Sequence, residues 1–208
     1  MQFGESGDNL VYVVLGDSTA AGIGGSYDRG IAVTTARELA RRYRVTMTNL
    51  SVSGAQLRDV RKRQLAAAEA LRPDLVLLSA GANDVTHLTP AGSMRRDLRE
   101  IVQRLRAANP EVRIVITGSP DMGAPPRIPR LLRGLASHRT RLTNRMFEHE
   151  AAGQHLTFAP IARTTGPLFR ADHSLFADDR FHPNDRGYAT WFPALFSALH
   201  QALAEALK

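Results

Sequence analysis

Five short apolar runs, at residues 10–15, 45–50, 75–78, 112–116 and 155–161, recur along this chain with room for one helix between each pair. They are rich in β-branched residues and do not alternate with polar ones, the pattern of strands covered on both faces. The segments between them carry helical spacing. The clearest is expected to have Thr89 as its cap and Pro90 at its first position, to bury Met94, Leu98, Ile101, Val102 and Leu105, and to stop at Asn109-Pro110. The last segment starts at Asn184 as cap and lays Tyr188, Trp191, Phe192, Leu195, Phe196 and Leu199 on one stripe. That stripe reads as packing against the sheet, and Pro193 inside it predicts a kink or a split into two helices. Strand–helix alternation of this kind implies an α/β fold, a parallel sheet with helices on both faces. Two stretches, 118–129 and 162–181, read as irregular. Both follow predicted strand ends, so both are expected to shape a cleft on the functional rim.

Composition narrows the function. At 208 residues and 43% hydrophobic, the chain suits one compact domain spanning 1–208. No apolar run approaches the ~20 residues of a bilayer span. The first residues show neither a basic stretch nor an apolar one, so a cytoplasmic location is the expectation. The absence of cysteine excludes disulfides and thiol catalysis. The net charge of +7 is carried almost wholly by arginine, clustered at Arg41 to Arg44, Arg61 and Arg63, Arg95 to Arg99, and between Arg127 and Arg145. These arginines spread over several predicted helix faces and few aromatics accompany them. Solvated surfaces are therefore expected, with no nucleic-acid partner. The stretch 127–133 reads as the start of a surface helix, with a lid or membrane-touching flap as the alternative. No His, Asp or Glu grouping has metal-ligand spacing, so no metal is expected, and the chemistry assigned below needs no cofactor.

The chemistry lies in four blocks at strand ends or in the loop before the last helix. They are Gly16-Asp17-Ser18, Ser53-Gly54-Ala55, Gly81-Ala82-Asn83-Asp84 and Asp179-Arg180-Phe181-His182. Consecutive parallel strands share their C-terminal rim, so the topology is expected to gather all four at one edge. A serine hydroxyl is a weak nucleophile until an imidazole takes its proton, which assigns Ser18 and His182 to each other. The imidazole needs a carboxylate to hold its second nitrogen, and Asp179 sits three residues before it, within reach in a tight turn. Asp178 competes for that place, but its spacing is less favourable. An oxyanion needs fixed donors; the N–H groups of Ser18 and Gly54 and the side-chain amide of Asn83 can supply them. Asp17 is expected to brace the turn, and Asp84 to act as a structural acceptor. His87 and His173 sit in or near rim loops.

These blocks resemble, in order and across residues 10–200, the SGNH subgroup of the GDSL hydrolases. The four residues that name the subgroup match Ser18, Gly54, Asn83 and His182, and its D-x-x-H acid matches Asp179. The resemblance implies a flavodoxin-like three-layer α/β/α sandwich with a five-stranded parallel sheet of order 2-1-3-4-5. It also implies a serine esterase or lipase acting on a small-molecule acyl ester, with Ser18, Asp179 and His182 catalytic. One departure is visible, Thr19 where the family usually has leucine. Lysophospholipids, thioesters and acetylated carbohydrates stay open as substrates, as does acyl transfer. A flavodoxin-like phosphate- or flavin-binding module would also explain the hydroxyl- and glycine-rich loop at residues 18–22, but not Asn83 or the Asp179/His182 pair.

Overall fold

The computed structural model describes residues 1–204. Its sheet contains β1 (Gln2–Phe3), β2 (Asp8–Gly16), β3 (Tyr43–Asn49), β4 (Leu75–Ser79), β5 (Arg113–Ile116) and β6 (Thr157–Phe158), in the spatial order 1-3-2-4-5-6. The five strands β2 to β6 are parallel and, counted among themselves, stand in the order 2-1-3-4-5. The sheet nevertheless has six strands rather than the expected five. The extra one, β1, lies antiparallel on β3, pairing Gln2 with Thr46 and Phe3 with Val45. Two residues carry no periodicity, so no sequence pattern announces it. At the other edge, the run 155–161 contracts to Thr157–Phe158. Pro160 has no N–H to extend the ladder, and a helix begins at Ile161.

Strand side chains alternate between two cores. Leu10, Tyr12 and Val14 of β2 and Leu75 and Leu77 of β4 pack with α1 (Ile31–Leu39) and α9 (Phe192–Ala204). Val13, Leu15, Val76 and Leu78 face the opposite way, against α3 (Leu65–Ala70), α5 (Ala91–Ala108) and part of α6 (Arg130–Gly153). The result is a three-layer α/β/α sandwich, in which each fully buried strand leucine or valine contributes roughly 1.5–3 kcal/mol.

Of three helix expectations, two need adjustment and one, the split of the last segment, holds. α5 starts one residue late: Pro90 is its extended N-cap, and the Thr89 hydroxyl instead accepts from Gln56 Nε2 at 2.8 Å. The last segment is split. Asn184 caps α8 (Asp185–Ala189) by accepting the Gly187 N–H at 3.0 Å, and Pro193 falls in the first turn of α9, where its missing N–H costs nothing. Finally, 162–181 is not irregular throughout, because α7 occupies Ile161–Ala171 with Pro167 inside it. The Gly166-Pro167 pair masks a buried stripe of Ile161, Thr165 and Phe169 at helical spacing. The stretch 118–129 is irregular, as expected.

Between α2 (Leu57–Asp59) and α3 lies a π-helical turn, Val60–Gln64. Its last residue is buried and reaches the end of β2, where Gln64 Oε1 accepts the Gly16 N–H at 2.9 Å and Nε2 donates to the Gly16 carbonyl at 2.8 Å. Such turns often mark functional sites. Here the turn satisfies both backbone groups of the residue that leads into Asp17 and Ser18. Gln64→Leu leaves the buried Gly16 N–H without its acceptor, while the Gly16 carbonyl keeps only the Val52 N–H at 3.1 Å. We expect a loss of about 1–3 kcal/mol in urea denaturation, and an unchanged midpoint would contradict this bracing role.

Candidate active site

The turn after β2 is built around a backbone contact no side chain could share. Gly16 has φ +143°, and a Cβ there would lie 1.9 Å from the Ser79 carbonyl oxygen at the end of β4. The next residue, Asp17, is buried, and its Oδ1 accepts from the Thr19 N–H at 2.9 Å and the Thr19 hydroxyl at 2.8 Å. Asp17 therefore braces the turn, as its place beside the serine suggested. The departure at Thr19 is explained as well, since its hydroxyl also meets Ser79 Oγ at 3.0 Å. A leucine could make neither contact.

Ser18 emerges from this turn with 7% of its surface exposed. Its Oγ lies 2.9 Å from His182 Nε2, and His182 Nδ1 lies 2.5 Å from Asp179 Oδ2. The second carboxylate oxygen of Asp179 accepts the N–H groups of Phe181 at 2.9 Å and His182 at 3.0 Å. Burial pushes Asp179 up, but the hydrogen bonds from His182 and Phe181 outweigh it and hold the carboxyl below its ordinary range. Of the two adjacent aspartates, Asp179 is therefore the one joined to the ring. Arg180 turns the chain between acid and base at φ +58°. A two-sided anchor fixes this loop: Ala177 N–H donates to the His182 carbonyl at 2.8 Å, and Asn184 Nδ2 donates to the carbonyls of Ser174 and Phe176. Gly24, in the loop after Ser18, presses on the same segment, so closely that a Cβ would meet the Pro183 carbonyl at 2.5 Å.

Asn83, half-buried in α4 (Ala82–Thr86), donates through Nδ2 to the Ala55 carbonyl at 3.1 Å. This ties it to the loop that carries Gly54. Gly54 is exposed on that loop, outside the lining of the cleft below, with open space where a Cβ would stand. Among the described residues, neither the Ser18 nor the Gly54 N–H meets an acceptor. Asp84 is buried and accepts the Leu57 N–H at 3.0 Å, a structural contact. His87 stays on the rim, its Nδ1 2.8 Å from the Asn83 carbonyl. His173 lines a different cleft. Among the described residues, no group of three or more His, Asp or Glu side chains is placed to hold a metal ion.

Ser18, Asn83 and His182 line one cleft, whose walls are mainly apolar: Met122, Pro125, Phe169, Phe176, Phe181 and Trp191. Most of these belong to 118–129 and 162–181, the stretches expected to shape it. Trp191 is a residue the sequence reading missed in this role. Its place in a core stripe gave no sign that a fully buried side chain also closes the cleft floor. Asp121, a polar residue of the same wall, is occupied by Ser137 Oγ at 2.9 Å, the Gly123 N–H and Arg170. The arrangement sets Ser18 Oγ against a ring held by a carboxylate, at the edge of a cleft with mainly apolar walls.

The sequence profile described as "GDSL-like Lipase/Acylhydrolase family" matches residues 14–190. A GDSL-like esterase of Mycobacterium tuberculosis is 34% identical over 203 residues, covering 94% of this chain. The chain spans 63% of the length of that relative. Among solved structures, TesA superposes with a TM-score of 0.76 at 19% identity, over 92% of this chain and 99% of its own. Phospholipase A1 from Streptomyces albidoflavus superposes at 0.69 and 19% identity, over 91% and 99%. At these identities the two structures speak for the fold.

Asp17 generates a stability prediction. Burial lifts its pKa from 3.8 to about 6, against the opposing bonds from Thr19. The folded state thus holds that proton more tightly than the unfolded chain does. Stability falls as pH rises from about 4 to 6, and the buried carboxylate then costs on the order of 3 kcal/mol. Asp17→Asn keeps the acceptor for Thr19 and removes the charge. Its urea midpoint is expected to match the parent below pH ~4 and exceed it above pH ~6; a difference independent of pH would contradict the assignment.

Proposed function

Since this chain belongs to the GDSL-like lipase/acylhydrolase family, we propose that it hydrolyses carboxylic esters through an acyl-enzyme on Ser18. The observation that carries this reading is the unbroken hydrogen-bond chain from Ser18 Oγ through His182 to Asp179, opening into an apolar cleft. His182 Nε2 takes the proton as Oγ attacks the ester carbonyl, and Asp179 stabilises the imidazolium that forms. The carbonyl oxygen becomes an oxyanion. The Ser18 and Gly54 N–H groups and the Asn83 amide are its proposed donors. His182 then gives its proton to the leaving alcohol, the C–O bond breaks, and the acyl group stays on Ser18. Water enters, loses a proton to His182 and releases the acid.

The aromatic and proline walls suit an apolar acyl group better than a sugar. A phosphate cradle in the loop at residues 18–22 is disfavoured by the buried Asp17 beneath it and by the Thr19 hydroxyl, already engaged by Asp17 and Ser79.

Two variants test the roles on p-nitrophenyl esters from acetyl to palmitoyl. Ser18→Ala should lower kcat by about 10⁴-fold or more with the fold intact. Asn83→Ala should lower kcat by about 10²–10³-fold with little change in KM. Turnover by folded Ser18→Ala at the parent rate would refute the mechanism. An Asn83→Ala effect confined to KM would remove Asn83 from the oxyanion site.

A further inference from the structure

The excess positive charge of this chain is localised. Residues 122–147 contain six arginines and no acidic residue, while the remainder of the chain carries 21 basic against 20 acidic side chains. The expectation that the arginines dissolve into several helix faces holds elsewhere, where many pair with carboxylates, as Arg61 does with Asp97 and Arg104 with Glu69. In this segment, among the described residues, none of Arg127, Arg130, Arg133, Arg139, Arg141 and Arg145 forms a salt bridge. The same segment exposes large apolar side chains: Leu131 at 96%, Leu132 at 52%, Leu135 at 56% and Leu142 at 50%. Leu131, Leu135 and Leu142 share one stripe of α6 at helical spacing.

The segment also borders the active-site cleft. Ala124 and Pro125 line that cleft, and the Arg127 N–H donates to the Arg180 carbonyl at 3.0 Å, two residues from His182. Arg133 pins the loop by donating to the carbonyls of Ile128 at 2.9 Å and Pro126 at 3.0 Å. Behind the loop, Arg133, Arg141, Arg170 and His173 line an open cleft of about 480 Å³. Asp121 neutralises Arg170 there, which leaves the positive charge of Arg133 and Arg141 unbalanced.

We propose that the loop before α6 and the first half of that helix dock on an anionic phospholipid surface. The exposed leucines enter the interface, and the unpaired arginines, with the basic cleft between α6 and α7, receive headgroup phosphates. Exposed leucines interleaved with unpaired arginines fit a lipid surface, where apolar burial and attraction to phosphate act together. A second copy of the chain is a poorer occupant, because a symmetric contact would set six unpaired arginines against six. Nucleic acid fits less well too, since the segment exposes no aromatic side chain for base stacking; its one aromatic, Phe147, is buried. Docking would bring the mouth of the cleft to the lipid. That consequence rests on the proposed hydrolase, whereas the docking itself does not.

The test is co-sedimentation with vesicles of phosphatidylcholine, with and without phosphatidylglycerol, using both the parent protein and Ser18→Ala so that lipid turnover plays no part. Binding should be at least about tenfold stronger to the anionic vesicles and should weaken as salt rises. Leu131→Glu/Leu135→Glu and Arg130→Glu/Arg141→Glu should each reduce it at least about tenfold, with turnover of soluble esters unchanged. Equal binding to both vesicle types, or binding indifferent to both double variants, would overturn the proposal. So would a parent dimer in solution that Leu131→Glu/Leu135→Glu converts to monomer. Loss of docking with Ser18-dependent ester turnover intact would remove the surface alone, and docking without any turnover would remove the hydrolase reading alone.

Discussion

The close approach of the Gly16 backbone to the Ser79 carbonyl sets the geometry of the whole reactive edge. It lets β2 and β4, the two central strands, end side by side with no side chain between them. The chain must then leave the sheet abruptly, and the buried groups exposed by that departure have to be satisfied. Gln64 serves Gly16, and the Asp17 carboxylate serves Thr19. Ser18 is thus presented by a turn held rigid from beneath, in the place where open parallel sheets gather their functional groups. A loop with fewer internal bonds would leave Oγ free to wander from Nε2.

His182 reaches that serine from the far end of the sequence, 164 residues away. Its loop is stitched to itself by Asp179, Asn184 and the Ala177 to His182 backbone bond, and tied to the loop before α6 by the Arg127 N–H on the Arg180 carbonyl. The acid and base are therefore set relative to each other by local turns, and relative to Ser18 by the packing of Gly24 against Pro183. This division explains why the four blocks are readable one by one in the sequence. Each is a local structure with its own turn chemistry; strand order gathers the first three, and the packing of Gly24 against Pro183 adds the fourth.

The same division marks where legibility stops. The parallel strands were legible because burial on both faces demands unbroken apolar runs. A two-residue edge strand such as Gln2–Phe3 makes no such demand. α7 was hidden because Gly166-Pro167 looks like a breaker, although the apolar stripe around it outweighs the one hydrogen bond that proline forfeits. Gln64 lies inside a basic, helix-like stretch, and nothing local distinguishes a glutamine facing solvent from one carried inward by a π turn. Trp191 belongs at once to a core and to a cleft wall, a double use that periodicity cannot separate. The charge segregation in residues 122–147 is plain in the sequence, but its meaning depends on which arginines find carboxylates, and that is a property of the fold.

The measurement that bears most directly on this account is covalent labelling with a fluorophosphonate, followed by mass spectrometry of the digested protein. The account predicts one adduct per chain, on the peptide bearing Ser18. It also predicts that labelling is lost in folded His182→Ala, because the hydroxyl then has no base to take its proton. An adduct on another serine, or Ser18 labelling at the parent rate without His182, would contradict it.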